Sequence, residues 1–88
     1  MLLTAQEKYT INGYVKDAAN GEALIGATVL IQELGTGNIT NVYGFYSITL
    51  PAGDYTVVYR YIGFKSQSQS ISLSENTRLD IELPEEQT

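Results

Sequence analysis

Asn41 and Gly44 bound a four-residue turn, and the residues after it alternate cleanly: Tyr46, Ile48 and Leu50 in one phase, Phe45, Ser47 and Thr49 in the other, until Pro51-Ala52-Gly53 stops the run. Asn tolerates left-handed backbone angles and Gly adopts them without steric penalty, so this pair can bracket a tight reversal. A period of two sends successive side chains to opposite faces of a strand and does not fit the 3.6-residue period of a helix. A chain organised this way at its centre needs sheet partners on either side.

The rest of the sequence supplies them. Tyr9, Ile11, Gly13 and Val15 alternate with Thr10, Asn12, Tyr14 and Lys16, which predicts a first strand over 9–17 with Gly13 marking a bulge or a close backbone approach. Asn20-Gly21 predicts a reversal between Asp17 and Glu22. A second strand over 27–33 sets Ala27, Val29 and Ile31 against Thr28, Leu30 and Gln32, and 38–42 reads as a brief edge strand. From Asp54 to Tyr61 the β-branched and aromatic residues predict a central strand, with Tyr55, Val57, Tyr59 and Tyr61 opposite Thr56, Val58 and Arg60. Phe64 is out of phase with Ile71 and Leu73, so a bulge or change of strand lies between them, in a Ser- and Gln-rich segment that reads as a polar, exposed edge. Thr77 to Leu83 closes the pattern with Leu79, Ile81 and Leu83 inward. Seven short strands without helical periodicity predict an all-β, seven-stranded antiparallel β-sandwich, a small closed barrel being the alternative. The expected domain is 9–84; residues 1–8 read as the remnant of a secretory leader or an arbitrary chain end, and 85–88 as the start of a linker.

Composition narrows the chemistry. The 88 residues include neither Cys nor His, which removes disulfides, thiolate sites, the commonest general base and the commonest transition-metal ligand. Ten carboxylates face five Lys and Arg, and Lys8, Lys16, Arg60, Lys65 and Arg78 are scattered, so no nucleic-acid surface is expected. No apolar run approaches the ~20 residues of a membrane-spanning helix. Glu22, Asp54 and Glu75 fall in turns and Asp80 and Glu82 on a solvent face, which is no basis for a catalytic carboxylate pair. Asp17, Asn20 and Glu22 could in principle gather oxygens around calcium, but they do not match a dedicated loop, and turn formation explains them better. Lys16 and Lys65 lie in polar phases, away from any buried cross-link. No catalytic, cofactor or metal residue is therefore assigned. The candidate contact residues are Tyr14, Leu30, Phe45 and Val58, apolar residues on the phase opposite the core, which would form an outer patch if their strands were neighbours.

Ile11-Asn12-Gly13-Tyr14-Val15-Lys16-Asp17 followed by Gly21-Glu22-Ala23-Leu24-Ile25-Gly26-Ala27-Thr28-Val29 resembles the opening of the carboxypeptidase regulatory-like domain family. Gly35-Thr36-Gly37, Thr40 to Tyr46, and Tyr59-Arg60-Tyr61-Ile62-Gly63-Phe64 look like the version at the N-terminus of SusC-like TonB-dependent outer-membrane receptors of Bacteroidetes. Asn41 stands where the wider family usually has Asp, and it can serve the same turn. The resemblance implies a transthyretin-like (prealbumin-like) sandwich. It also implies a non-catalytic extension on the periplasmic side of the outer membrane, exported by a signal peptide and lying ahead of a plug and barrel. Its implied partners are periplasmic proteins or the plug and barrel themselves, with no cofactor and no membrane insertion by this segment. An accessory or carbohydrate-binding domain of a secreted peptidase or polysaccharide-degrading enzyme is the alternative.

Overall fold

Ten residues of unbroken strand make β1 (Lys8–Asp17) the longest element, and the computed structural model, which describes residues 7–86, builds one sheet around it. On one side β1 pairs antiparallel with β4 (Phe45–Pro51), setting Ile11 opposite Ile48 and Gly13 opposite Tyr46. On the other side lie β7 (Thr77–Arg78) and β8 (Ile81–Leu83), both parallel to β1. The second sheet has the order β3-β2-β5-β6, from β2 (Thr28–Ile31), β3 (Thr36–Ile39), β5 (Gly53–Arg60) and β6 (Gln67–Leu73), all antiparallel. Of residues 1–8, expected to be a leader remnant or an arbitrary chain end, Met1–Gln6 lie outside the described residues, and Lys8 already pairs with Pro51 as the first residue of β1.

The two sheets close over the phases read from the sequence. Ile11, Val15, Val29, Ile31, Val57 and Leu83 are fully buried, with Tyr46, Ile48, Leu50, Tyr55, Tyr59, Leu73 and Ile81 packed among them. Burial of this apolar surface, at about 25 cal/mol per Å², is the main favourable term holding the sheets together.

The C-terminal strand departs from the expected pattern in two ways. It is parallel to its neighbour, and it is split at Leu79–Asp80. Gly13 is the reason for the split position: a Cβ there would overlap the Leu79 carbonyl, whose carbon would lie 2.6 Å away. The break is stitched from both sides, with the Leu79 N–H donating to the Asn12 carbonyl (2.7 Å) and the Tyr14 N–H to Asp80 Oδ1 (2.9 Å). Residues 85–86, expected to begin a linker, are still hydrogen-bonded: Glu86 N–H reaches the Gly63 carbonyl, and Glu85 bridges Phe64.

The same Leu79 carbonyl ends a buried hydrogen-bond chain. Tyr46 O–H donates to it (2.6 Å), so the Tyr59 O–H, 2.7 Å from Tyr46 Oη, must donate to Tyr46. The rings meet edge to face at 5.6 Å, one from each sheet. Tyr46→Phe should therefore cost about 1–3 kcal/mol, because it strands both the Leu79 carbonyl and the Tyr59 hydroxyl. Tyr59→Phe removes only the outer donor and should cost about 0.5–1.5 kcal/mol, a difference that denaturant melts can resolve. Burial pushes the Tyr46 hydroxyl up to about 12, and Tyr59 is also raised, by burial first and then by its bond to Tyr46. A raised folded-state value favours the protonated form in the fold. Its stabilisation is complete below the ordinary tyrosine value of about 10 and is lost as pH rises from there through the folded value. The denaturation midpoint should accordingly fall across that alkaline window.

Candidate functional site

Asp17, Glu33 and Asp80 each use a carboxylate oxygen to hold a backbone N–H. Asp17 Oδ1 accepts the Ala19 N–H and Asn20 Oδ1 the Glu22 N–H, so two of the oxygens considered for calcium serve the turn instead. Glu33 accepts both the N–H (2.7 Å) and the hydroxyl (2.8 Å) of Thr56, which holds its carboxyl below the usual range. Asp54 accepts from Ser72, and Asp80 from Tyr14 and Arg78. The Arg78–Asp80 pair at 3.1 Å is solvent-exposed, so it contributes little. Among the described residues no three His, Cys, Asp or Glu side chains converge to hold a metal ion.

Three surfaces remain as candidates for contact. The first is centred on Tyr14 and Phe45, which register opposite one another on β1 and β4, outside the first sheet, with ring centroids 5.2 Å apart. The Lys16 ammonium and the Arg78 guanidinium each stand 5.6 Å from the centre of the Tyr14 ring, giving the pair a basic rim. The second surface holds Leu30 and Val58, registered opposite one another on β2 and β5. These belong to the other sheet, so the four residues form two separate pairs rather than one patch. Val58 is 7% exposed, and on this face Leu30 and Ile39 offer more accessible apolar surface.

The third surface is the loop end of the sandwich. Ile25, Val42, Tyr43 and Ile62 are 53%, 66%, 70% and 90% exposed, although residues of these types are normally withdrawn from water. Their backbones are firmly held. Thr40 is buried, accepting from the Ala27 N–H (2.8 Å) and donating to the Leu24 carbonyl (2.5 Å), so it pins the loop that carries Ile25. Asn41 Oδ1 takes the N–H groups of Tyr43 and Phe45, and Gly44, at φ 74, closes the turn that presents Val42 and Tyr43. Gly26, Tyr61, Ile62, Gly63, Phe64 and Glu86 line a shallow depression beside them. Sequence reasoning missed this end because it treated turns as punctuation. The available signal was apolar residues placed inside turns: Ile25 before Gly26, Val42-Tyr43 before Gly44, and Ile62 before Gly63.

Comparison with known proteins places this arrangement. A TonB-dependent receptor SusC of Bacteroides thetaiotaomicron is 34% identical over 73 residues, 83% of this chain, and a TonB-dependent receptor of Formosa agariphila is 31% identical over 71 residues, 81% of this chain. The chain spans 7% of the length of either receptor. Among solved structures, a DUF3823 family protein from Bacteroides ovatus superposes with a TM-score of 0.68 at 24% identity, covering 88% of this chain and 44% of that one. A chain in a type II cohesin–X-dockerin complex from Acetivibrio cellulolyticus gives 0.70 at 20% identity, covering 83% and 52%. At these identities the two structures share the β-sandwich fold, and the family follows from the sequence itself. The CarboxypepD_reg-like domain model matches residues 11–88, from the first core residue of β1 through the whole sandwich, and the chain belongs to that family.

Proposed function

We propose that this domain is a non-catalytic extension at the front of a TonB-dependent nutrient transporter, on the periplasmic side of the outer membrane, and that it acts through protein contacts. The observation that carries this reading is the likeness to TonB-dependent receptors over more than four fifths of the chain. The side-chain chemistry is compatible with it, because the carboxylates described above are bound up in turns and strand ends. In this reading the domain meets the plug and barrel of its own receptor, or a periplasmic protein, through rigidly presented apolar groups. The loop end with Ile25, Tyr43 and Ile62 is one such surface, and Tyr14 with Phe45 is another. Leu30 contributes through the opposite face, with Val58 beside it on the neighbouring strand.

Deleting residues 9–83 from the parent receptor should leave the barrel assembled in the outer membrane but alter growth on the transported nutrient. Replacing Tyr14 and Phe45 together with Ser, or Ile25, Tyr43 and Ile62 together with Ser, should reproduce the growth effect of whichever contact surface is used. Each variant should keep the folded circular-dichroism signature. Unchanged growth of the deletion strain on every substrate of the parent would overturn the transport role.

A further inference from the structure

The two long sides of the sandwich are treated differently. On one side Asn38 Nδ2 donates to the Ser47 carbonyl (3.1 Å), tying the edge of β3 to the edge of β4. On the other, β6 forms the end of its sheet, and among the described residues no strand pairs with its outer edge. Among the described residues that side is tied only ahead of β6 and at its first residue: the Lys65 N–H donates to the Pro84 carbonyl (2.8 Å), the Glu86 N–H to the Gly63 carbonyl (2.9 Å) and Gln67 Nε2 to the Glu82 carbonyl (3.0 Å).

The direction of the unpaired groups follows from the neighbouring strand. Thr56 turns both its N–H, toward Glu33, and its carbonyl, toward the Gln32 N–H, away from β6. Backbone groups alternate sides along a strand, so Tyr55, Val57 and Tyr59 face β6 and bond Ile71, Gln69 and Gln67, their partners in register. The N–H and carbonyl groups of Ser68, Ser70 and Ser72 are then left pointing outward. Exposed edges are normally blunted by charge, proline or a bulge. The stretch Ser66–Ser74 has no charged residue, no proline and no glycine, and Ser68, Ser70 and Ser72 are exposed.

We infer that the outer edge of β6 is a docking site for an extended, basic polypeptide segment, which adds as a further strand beside Ser68, Ser70 and Ser72. Charge selects the occupant. Glu33 and Asp54 line a depression of about 270 Å³ beside Ser70 and Ser72 with no base among its lining residues. The groove of about 410 Å³ beside Gln67 and Gln69, by contrast, sets Asp80 and Glu82 against Lys16 and the Arg78 paired to Asp80 and is balanced. A second copy of this chain would bring the same carboxylates against these, on a molecule of net charge −5, so self-pairing is disfavoured. Main-chain bonds supply affinity in strand addition, and alternate side chains supply selection. The inference stands independently of the transporter reading.

The test uses the full chain with two octapeptides, one alternating valine with lysine and the other valine with glutamate, followed by amide hydrogen exchange. The lysine peptide should slow exchange at Ser68, Ser70 and Ser72 by about tenfold or more, with the glutamate peptide ineffective. Ser70→Pro deletes an outward donor without touching the β5 ladder and should abolish the protection. The double variant Ser68→Lys with Ser70→Lys changes only exposed side chains, and it should weaken the lysine peptide and admit the glutamate one. Equal protection by both peptides, protection centred on Thr36–Ile39, or lysine-peptide binding unchanged in the double variant would overturn the inference. Protection that appears without peptide as concentration rises would assign the edge to a second copy and overturn it as well.

Discussion

Val57→Ala and Ile81→Ala should each lower the stability of the domain by about 2–4 kcal/mol. Val57 is fully buried at the centre of β5, and Ile81 is 4% exposed where β8 runs beside Val15. Each truncation removes branched methyl groups from an interior that cannot flow in to fill the space. In a chain of this size the total stability is on the order of 5–15 kcal/mol, so the loss is a large fraction of the whole. A melting temperature lower by about 8–30 °C is the expected reading. Denaturant melts that leave both variants within about 0.5 kcal/mol of the parent would refute the assigned faces.

Gly13→Ala should destabilise by about 3 kcal/mol, at the upper end of the range for overpacking. The added methyl meets the Leu79 carbonyl and Asp80 Oδ1, the latter at 2.8 Å, and the carbonyl is backbone, so relief requires the split strand itself to move. That movement breaks the Leu79–Asn12 and Asp80–Tyr14 bonds and deprives the Tyr46 hydroxyl of its acceptor. The effect should therefore show as loss of hydrogen-exchange protection in Ile81–Leu83, with Phe45–Leu50 less affected. Uniform loss across both segments would mean that Gly13 matters to the core generally rather than to this junction.

Much of this architecture could be read in advance wherever a residue's phase settles its fate. Val57, Ile48 and Leu83 fall on the core side of their strands simply because burial and the pleat share a period of two. Gly13 interrupted an apolar face, and the interruption had a physical referent in the Leu79 carbonyl. Partnership between strands has no such periodic trace. Nothing in Thr77–Leu83 states that it will run parallel to Lys8–Asp17, and nothing in the outward phase of Tyr14 and Leu30 states that they belong to different sheets. Thr40 illustrates a further limit. Its hydroxyl holds the Leu24–Ala27 loop across a gap of more than a dozen residues, and in the sequence it is one polar residue in a polar run. The exposed loop residues escaped notice for the reverse reason, since Ile62 beside Gly63 reads as the end of a strand whether or not it faces water.

The side-by-side, same-direction course of the first and last strands also has a mechanical meaning. Lys8 begins β1 at one end of the sandwich, and Leu83, registered with Asp17, leaves β8 at the other. Tension applied to the two ends drags these strands lengthwise past one another. The rungs between them bear the load together in shear, unlike a hairpin unzipped from its mouth, which yields one rung at a time. Survival under such load is governed by the rate of crossing the unfolding barrier rather than by the equilibrium stability. Pulled lengthwise between β1 and β8, the domain should therefore outlast a hairpin of equal stability opened from its mouth, a difference that forced unfolding can read.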